Sequence, residues 1–107
     1  MKKPMARIGD EAECPADNHQ GPNSPVKVRG PGVSGSQDVF INQIGAMRLG
    51  DAGIHAGCSG PNIWQAASGS KTVFINKKGA YRQGDDSRHC GGMGKQQEGS
   101  PNVFIGG

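Results

Sequence analysis

The chain is short of nearly everything that builds a hydrophobic core. Only 33% of its 107 residues are hydrophobic and 5% aromatic, with one Trp, one Tyr and three Phe. No apolar run approaches the length needed to cross a bilayer. No segment keeps a 3.6-residue apolar period over three turns without Gly or Pro, which argues against a helical fold. Cysteine is scarce and odd in number, so the three cannot all pair within the chain. Met1-Lys2-Lys3-Pro4 is followed by charged residues instead of an apolar stretch, and no signal peptide is expected. Synthesis in a reducing cytoplasm then favours metal ligation over disulfides. The net charge of +3 is mild and the basic residues are scattered, so nucleic acid is not an expected partner.

Glycine (19) and proline (7) are abundant, and that alone would suit disorder. An internal repeat argues otherwise. Residues 34–55 align with 68–89 without a gap, and 13 of the 22 positions are identical. The shared residues are Ser-Gly-Ser, Val-Phe-Ile-Asn, Gly-Ala, Arg, Gly-Asp and His. A third copy is split across the termini. Glu98-Gly-Ser-Pro-Asn-Val-Phe-Ile-Gly106 supplies its first half and Pro4-Met-Ala-Arg-Ile-Gly-Asp10 its second, with Cys14 in the His position. A unit divided in this way predicts a ring of three hairpin units about a pseudo-threefold axis. The strand around 103–105 should pair near the one around 5–8, because closure removes exposed sheet edges.

Short strands are expected at 26–28, 39–42, 63–67, 73–76 and 95–98. Asn42-Gln43-Ile44-Gly45 and Lys77-Lys78-Gly79 read as turns, with Gly45 in the positive-φ position and return strands at 46–49 and 80–83. Residues 11–24, 55–61 and 85–94 read as loops, and residues 1–4 as a frayed start. Side chains alternate in a strand, so Val39/Ile41, Val73/Ile75 and Val103/Ile105 should form a thin core. Phe40, Phe74 and Phe104 then point the other way. They either pack under loops or form an apolar surface for a partner. Trp64 reads as a packed side chain. The recurrent Arg7/Asp10, Arg48/Asp51 and Arg82/Asp85 read as structural: Asp accepts backbone N–H bonds at a corner, and Arg braces a neighbouring strand.

The spacing Gly-Asp-x-x-x-ligand occurs three times and ends at Cys14, His55 and His89. Equivalent positions about an axis converge, and three N/S ligands begin a tetrahedral structural zinc site. The fourth ligand must come from outside the repeat. His19 is favoured because its loop is long, and Cys58 is the runner-up. Cys90 adjoins His89, and neighbours rarely aim at one metal. A saturated four-residue site has no open position for a substrate, which argues against a zinc hydrolase. Nor does any Ser-His-Asp set, phosphate-binding loop or carboxylate pair have recognisable spacing. The chain is not expected to be an enzyme or to take a small-molecule substrate.

The tetrapeptides Pro4-Met5-Ala6-Arg7, Gly45-Ala46-Met47-Arg48 and Gly79-Ala80-Tyr81-Arg82, in their Val-Phe-Ile…Gly-Asp frame, resemble PAAR-repeat proteins over nearly the whole chain. The resemblance implies an all-β fold, a small conical, pseudo-threefold, closed arrangement of short β-hairpins stapled by one structural zinc ion near the apex. It implies three His and one Cys as ligands, in keeping with Cys14, His19, His55 and His89. It further implies a tip that caps and sharpens the trimeric VgrG spike of a type VI secretion system, one copy per trimer, for membrane puncture and effector delivery. The tip of a contractile phage tail spike is the alternative, and a small zinc-binding nucleic-acid module a weaker one. Residues 1–107 are expected to be a single domain without a toxin extension. Effector proteins are further expected partners, and the target membrane a transient one. The chain is expected to be cytoplasmic during assembly and then exported or injected by the contractile apparatus.

Overall fold

The computed structural model describes residues 2–17, 26–56, 62–89 and 92–106. Among these the regular elements are all strands: β1 Lys3–Pro4, β2 Glu11–Asp17, β3 Val26–Pro31, β4 Phe40–Ile41, β5 Ile44–Gly45, β6 Ala52–Ile54, β7 Ile63–Ala66, β8 Phe74–Ile75, β9 Lys78–Gly79, β10 Asp86–His89, β11 Gly92–Gln96 and β12 Phe104–Ile105. Three short antiparallel pairs, β4–β5, β8–β9 and β12–β1, form one end of the molecule, here termed the base. Three taller hairpins, β2–β3, β6–β7 and β10–β11, join into one six-stranded sheet in the order β3-β2-β11-β10-β7-β6. Its outer strands meet through a bridge between Gly32 and Gly53, so the sheet is a nearly closed barrel. Lys3 pairs with Ile105 and Pro4 with Phe104, as the split repeat requires. The extents of 41 × 25 × 24 Å, one long and two near-equal, suit three units about a long axis.

Three backbone hydrogen bonds close a triangle where the units meet. Ala6 N–H donates to Tyr81 C=O (2.9 Å), Tyr81 N–H to Met47 C=O (3.1 Å), and Met47 N–H to Ala6 C=O (3.1 Å). A second cycle runs beside it, from Ile8 to Gly45, Leu49 to Gly79 and Gln83 to Pro4 (2.8–2.9 Å). Each unit thus satisfies its neighbour's buried backbone groups, which would otherwise be costly to leave unpaired.

The Gly-Asp corners position these segments. Gly9, Gly50 and Gly84 take φ of +96°, +92° and +89°, the third place of a type II turn, where a side chain is disfavoured. Asp10, Asp51 and Asp85 each close the turn by donating backbone N–H to the Arg three residues earlier. Each carboxylate also accepts that Arg's backbone N–H and grips its guanidinium through both oxygens, at 2.8–3.1 Å. The hydrogen bonds to Asp10 and Asp51 raise Arg7 and Arg48 above the usual guanidinium range. The remaining guanidinium nitrogen reaches the next unit: Arg7 to Asn42 Oδ1 (3.1 Å), Arg48 to Asn76 Oδ1 (2.9 Å), Arg82 to the Gly106 carbonyl (3.0 Å). Where the third copy has Gly in place of Asn, a backbone oxygen takes over the contact.

Consecutive residues of the three axial segments face opposite ways. Met5, Ala46 and Ala80 pack towards the base with Ile75, against Val39, Ile41, Val73, Val103 and Ile105. The expected β-branched core is therefore present. Ala6, Met47 and Tyr81 face into the barrel with Ala12, Trp64 and Ala66. Phe40, Phe74 and Phe104 are 58%, 59% and 49% exposed, which rules out packing under loops.

Three local expectations are corrected. The base turns have positive φ at Asn42 and Gln43, and at Asn76 and Lys77, the pattern of a type I′ hairpin. Gly45 and Gly79 lie instead in β5 and β9, where an added Cβ would fall 2.9 and 2.7 Å from the carbonyls of Ser36 and Ser70. Their glycine answers a close approach, not a turn. Second, residues 11–17 and 86–89, read as loops, are strands, and 92–94 begin another. Their inward residues are small or polar, so the apolar alternation that marks a half-buried strand is missing. Third, Lys3–Pro4 is not frayed but pairs with β12, while Met5 and Arg7 make single bridges to Arg82 and Ala46.

The Arg82–Asp85 pair is the most enclosed of the three, with side chains only 6% and 4% exposed. Asp85→Ala leaves a buried guanidinium and a backbone N–H without their acceptor. It is expected to cost about 3–5 kcal/mol, read as a lowered urea midpoint, whereas Asp10→Ala at the more open corner should cost less.

Candidate functional site

The base presents three aromatic rings at equivalent positions. Phe40, Phe74 and Phe104 each open the outer strand of a short hairpin, with the neighbouring residue of the same strand turned into the core. The backbone beneath them is tied down by a cycle of side chains between units. The hydroxyl of Ser36 lies 2.7 Å from Asn76 Oδ1, that of Ser100 2.6 Å from Asn42 Oδ1, and that of Ser70 2.9 Å from the Gly106 carbonyl. The same three hydroxyls accept the backbone N–H of Val39, Val103 and Val73, each at 2.9 Å. Hydrogen bonds from Asn76 and Ser36 hold the exposed Asp38 below the usual carboxylate range. Rings on so constrained a frame lose little freedom when a partner covers them.

At the other end the tall hairpins bring their inward residues together. Cys14 lies in β2 opposite Val28, His55 directly follows β6, and His89 ends β10 opposite Gly92 and Trp64. All three are buried, with exposures of 0%, 6% and 2%. The rings of His55 and His89 lie with centroids 5.0 Å apart, tilted by 31°. The Cys14 thiol lies 3.5 Å from the Met93 carbonyl. The two imidazoles are brought together, and Cys14 takes the equivalent strand position. No group of three or more His, Cys, Asp and Glu among the described residues is arranged to hold a metal ion. His19, the favoured fourth ligand, the runner-up Cys58, and Cys90 lie outside the described residues. A buried thiol and two buried imidazoles are the donor types of a structural zinc site, so the residues suit that metal in kind.

Below these donors the axis is filled unequally by the three units. Trp64 occupies the centre, fully buried. Its register partner is Gly53, where a Cβ would stand 2.0 Å from the indole. The indole N–H donates to the carbonyls of Gly30 and Ile54, 3.2 Å from each. Those carbonyls belong to β3 and β6, the strands flanking the barrel's seam. Trp64 packs 6.2 Å from His89 and 6.2 Å from Tyr81, centroid to centroid. Burial, with a smaller contribution from the Asp85 and Asp86 carboxylates, raises the Tyr81 phenol well above its ordinary value. Ser87, also fully buried, places Oγ 2.9 Å from His89 Nε2.

Sequence reasoning assigned no role to Ser87 or Tyr81, and took Trp64 as packing only. The available signal was the alternation in Asp86-Ser87-Arg88-His89 and Glu11-Ala12-Glu13-Cys14, with charges outward and small or ligand-type residues inward.

Compared with known families, the chain matches the family model for the PAAR motif over residues 23–93, more than half its length. No curated protein gives a significant match.

Trp64→Phe keeps an aromatic ring but removes the donor shared by the Gly30 and Ile54 carbonyls. A destabilisation of about 1–3 kcal/mol is expected, measured by urea unfolding. An unchanged midpoint would show that the indole N–H does not hold the seam.

Proposed function

Because this chain belongs to the PAAR-motif family, whose members are structural spike-tip proteins associated with VgrG, we propose that it caps the VgrG trimer of a type VI secretion system. The observation that carries this reading is the set of three exposed phenylalanines at symmetry-related places on one end. A true threefold spike offers the same pocket three times, and a single chain with three near-equal faces can fill all three. Burying a Phe side chain contributes roughly 1.5–3 kcal/mol, and three act together on a base already held rigid. One chain then closes the end of three. The sheath's thrust is concentrated on one narrow tip that opens the target membrane. Effectors travel with the spike or bind beside the tip. The tip assembles in the cytoplasm and leaves with the spike.

Cys14, His55 and His89, with His19 or else Cys58 as the fourth ligand, would hold one zinc ion. When bound, it would crosslink the tops of the three tall hairpins and contribute on the order of 10 kcal/mol to folding. Burial supports this assignment: a chain with so little apolar side chain has few other ways to fix that end.

Two measurements test these readings. Native mass spectrometry of the chain mixed with a VgrG trimer should show one copy per trimer. Phe40→Ser with Phe74→Ser should abolish the complex while leaving the β-sheet spectrum intact. No affinity for any trimeric spike rejects the tip, and capture only by a phage tail spike reassigns it. Separately, His55→Ala should lower bound zinc and the thermal midpoint together. Full metal content in that variant would remove His55 from the ligand set.

A further inference from the structure

The three inward donors do not stand on equal supports. Two residues before each, on the same face of the strand, are Ala12 before Cys14, Gly53 before His55 and Ser87 before His89. Only the third carries a group that can hydrogen-bond. Ser87 Oγ lies 2.9 Å from His89 Nε2, with Ser87 fully buried and His89 2% exposed. Trp64 packs against the same imidazole at 6.2 Å, from the strand that pairs with β10. The Tyr81 phenol adjoins the Ser87 hydroxyl without a hydrogen bond of normal geometry.

We propose that Ser87 is a positioning residue for metal binding, fixing both the ring orientation and the tautomer of His89. This rests on the zinc reading above. A metal-binding imidazole nitrogen must be deprotonated, and the proton then sits on the other nitrogen, which needs an acceptor. With Nε2–H donating to Ser87 Oγ, the deprotonated nitrogen is Nδ1. In the absence of the hydroxyl, the Nε2 proton would be buried without that acceptor, and the tautomer that ligation needs would be disfavoured. At the equivalent place in the unit of His55 stands Gly53, whose slot is taken up by the Trp64 indole.

The test uses the full chain and Zn(II) alone, in competition with a chromophoric chelator, and Co(II) as a spectroscopic substitute. Ser87→Ala is the variant, since the first unit already carries Ala12 in the equivalent slot. If that variant does not fold, Ser87→Gly, which copies Gly53, is read in the same way. Wild-type chain should bind one Zn(II). The variant should bind it about ten- to a hundred-fold more weakly, with an altered Co(II) visible spectrum and a metal-free thermal midpoint close to wild type. Equal affinity and an unchanged Co(II) spectrum in the variant overturn the role of Ser87 and leave the zinc reading standing. Weaker binding with an unchanged spectrum and a matching fall in metal-free stability also overturns it, because Ser87 would then be structural only. A wild-type chain that takes up no Zn(II) overturns the metal reading, and this inference with it.

Discussion

The triangle of hydrogen bonds among Ala6, Met47 and Tyr81 is the constraint on which the rest depends. It brings three segments of similar sequence to one axis and leaves no room for a layer of core between them. What remains to each is one side chain facing the base and one facing the barrel. The chain's low apolar content follows from this geometry. A fold whose interior is one axis wide needs few large residues, and hydrogen bonds and ion pairs between units do much of what burial does elsewhere. The Arg–Asp corners illustrate it. Each grips its own turn and then reaches across to the next unit, so local and long-range order are tied to the same side chains.

Architecture was legible in the sequence because repetition is a global signal. The split third copy implied that the ends meet, and β1 pairs with β12. Alternation in Val-Phe-Ile was also legible, since it puts the β-branched residues on one face and the aromatics on the other; that the rings are exposed instead of packed under loops came from the structure. The turn assignment failed for a specific reason. Gly45 was read as supplying positive φ and Gly79 as part of a turn, but a glycine also serves where two backbones nearly touch, and sequence does not separate the two uses. Asn42 and Asn76 carried the better signal, because Asn tolerates the left-handed region. Of the tall strands, β2, β6 and β10 were missed because their inward faces hold Ala, Gly, Ser, Cys and His, which no hydrophobic periodicity detects.

The candidate ligands were picked out by spacing, not by hydrophobic pattern, so the choice did not depend on whether their surroundings were read as loop or strand. Five residues after the glycine of each corner, the chain has carried its side chain back to the inside, whether the segment is labelled loop or strand. The spacing did not carry what supports the ligands. Trp64 and Ser87 reach the donors from positions whose residue type differs between units, so a search for identical residues passes over them. The molecule divides along the same line. The phenylalanines and the corners repeat from unit to unit, and the side chains that fill the barrel do not.

That asymmetry bears on how such a chain can change. Trp64 fits because Gly53 yields its place, and Met47 and Tyr81 share their level with Ala6. A large residue in one unit requires a small one in another. Substitutions at these positions are therefore coupled across the repeat, and most single steps towards a more regular repeat pass through a collision or a void. The copies have room to diverge only in concert, and their unequal sequences are what a threefold backbone demands of an interior that has no room for three of anything large.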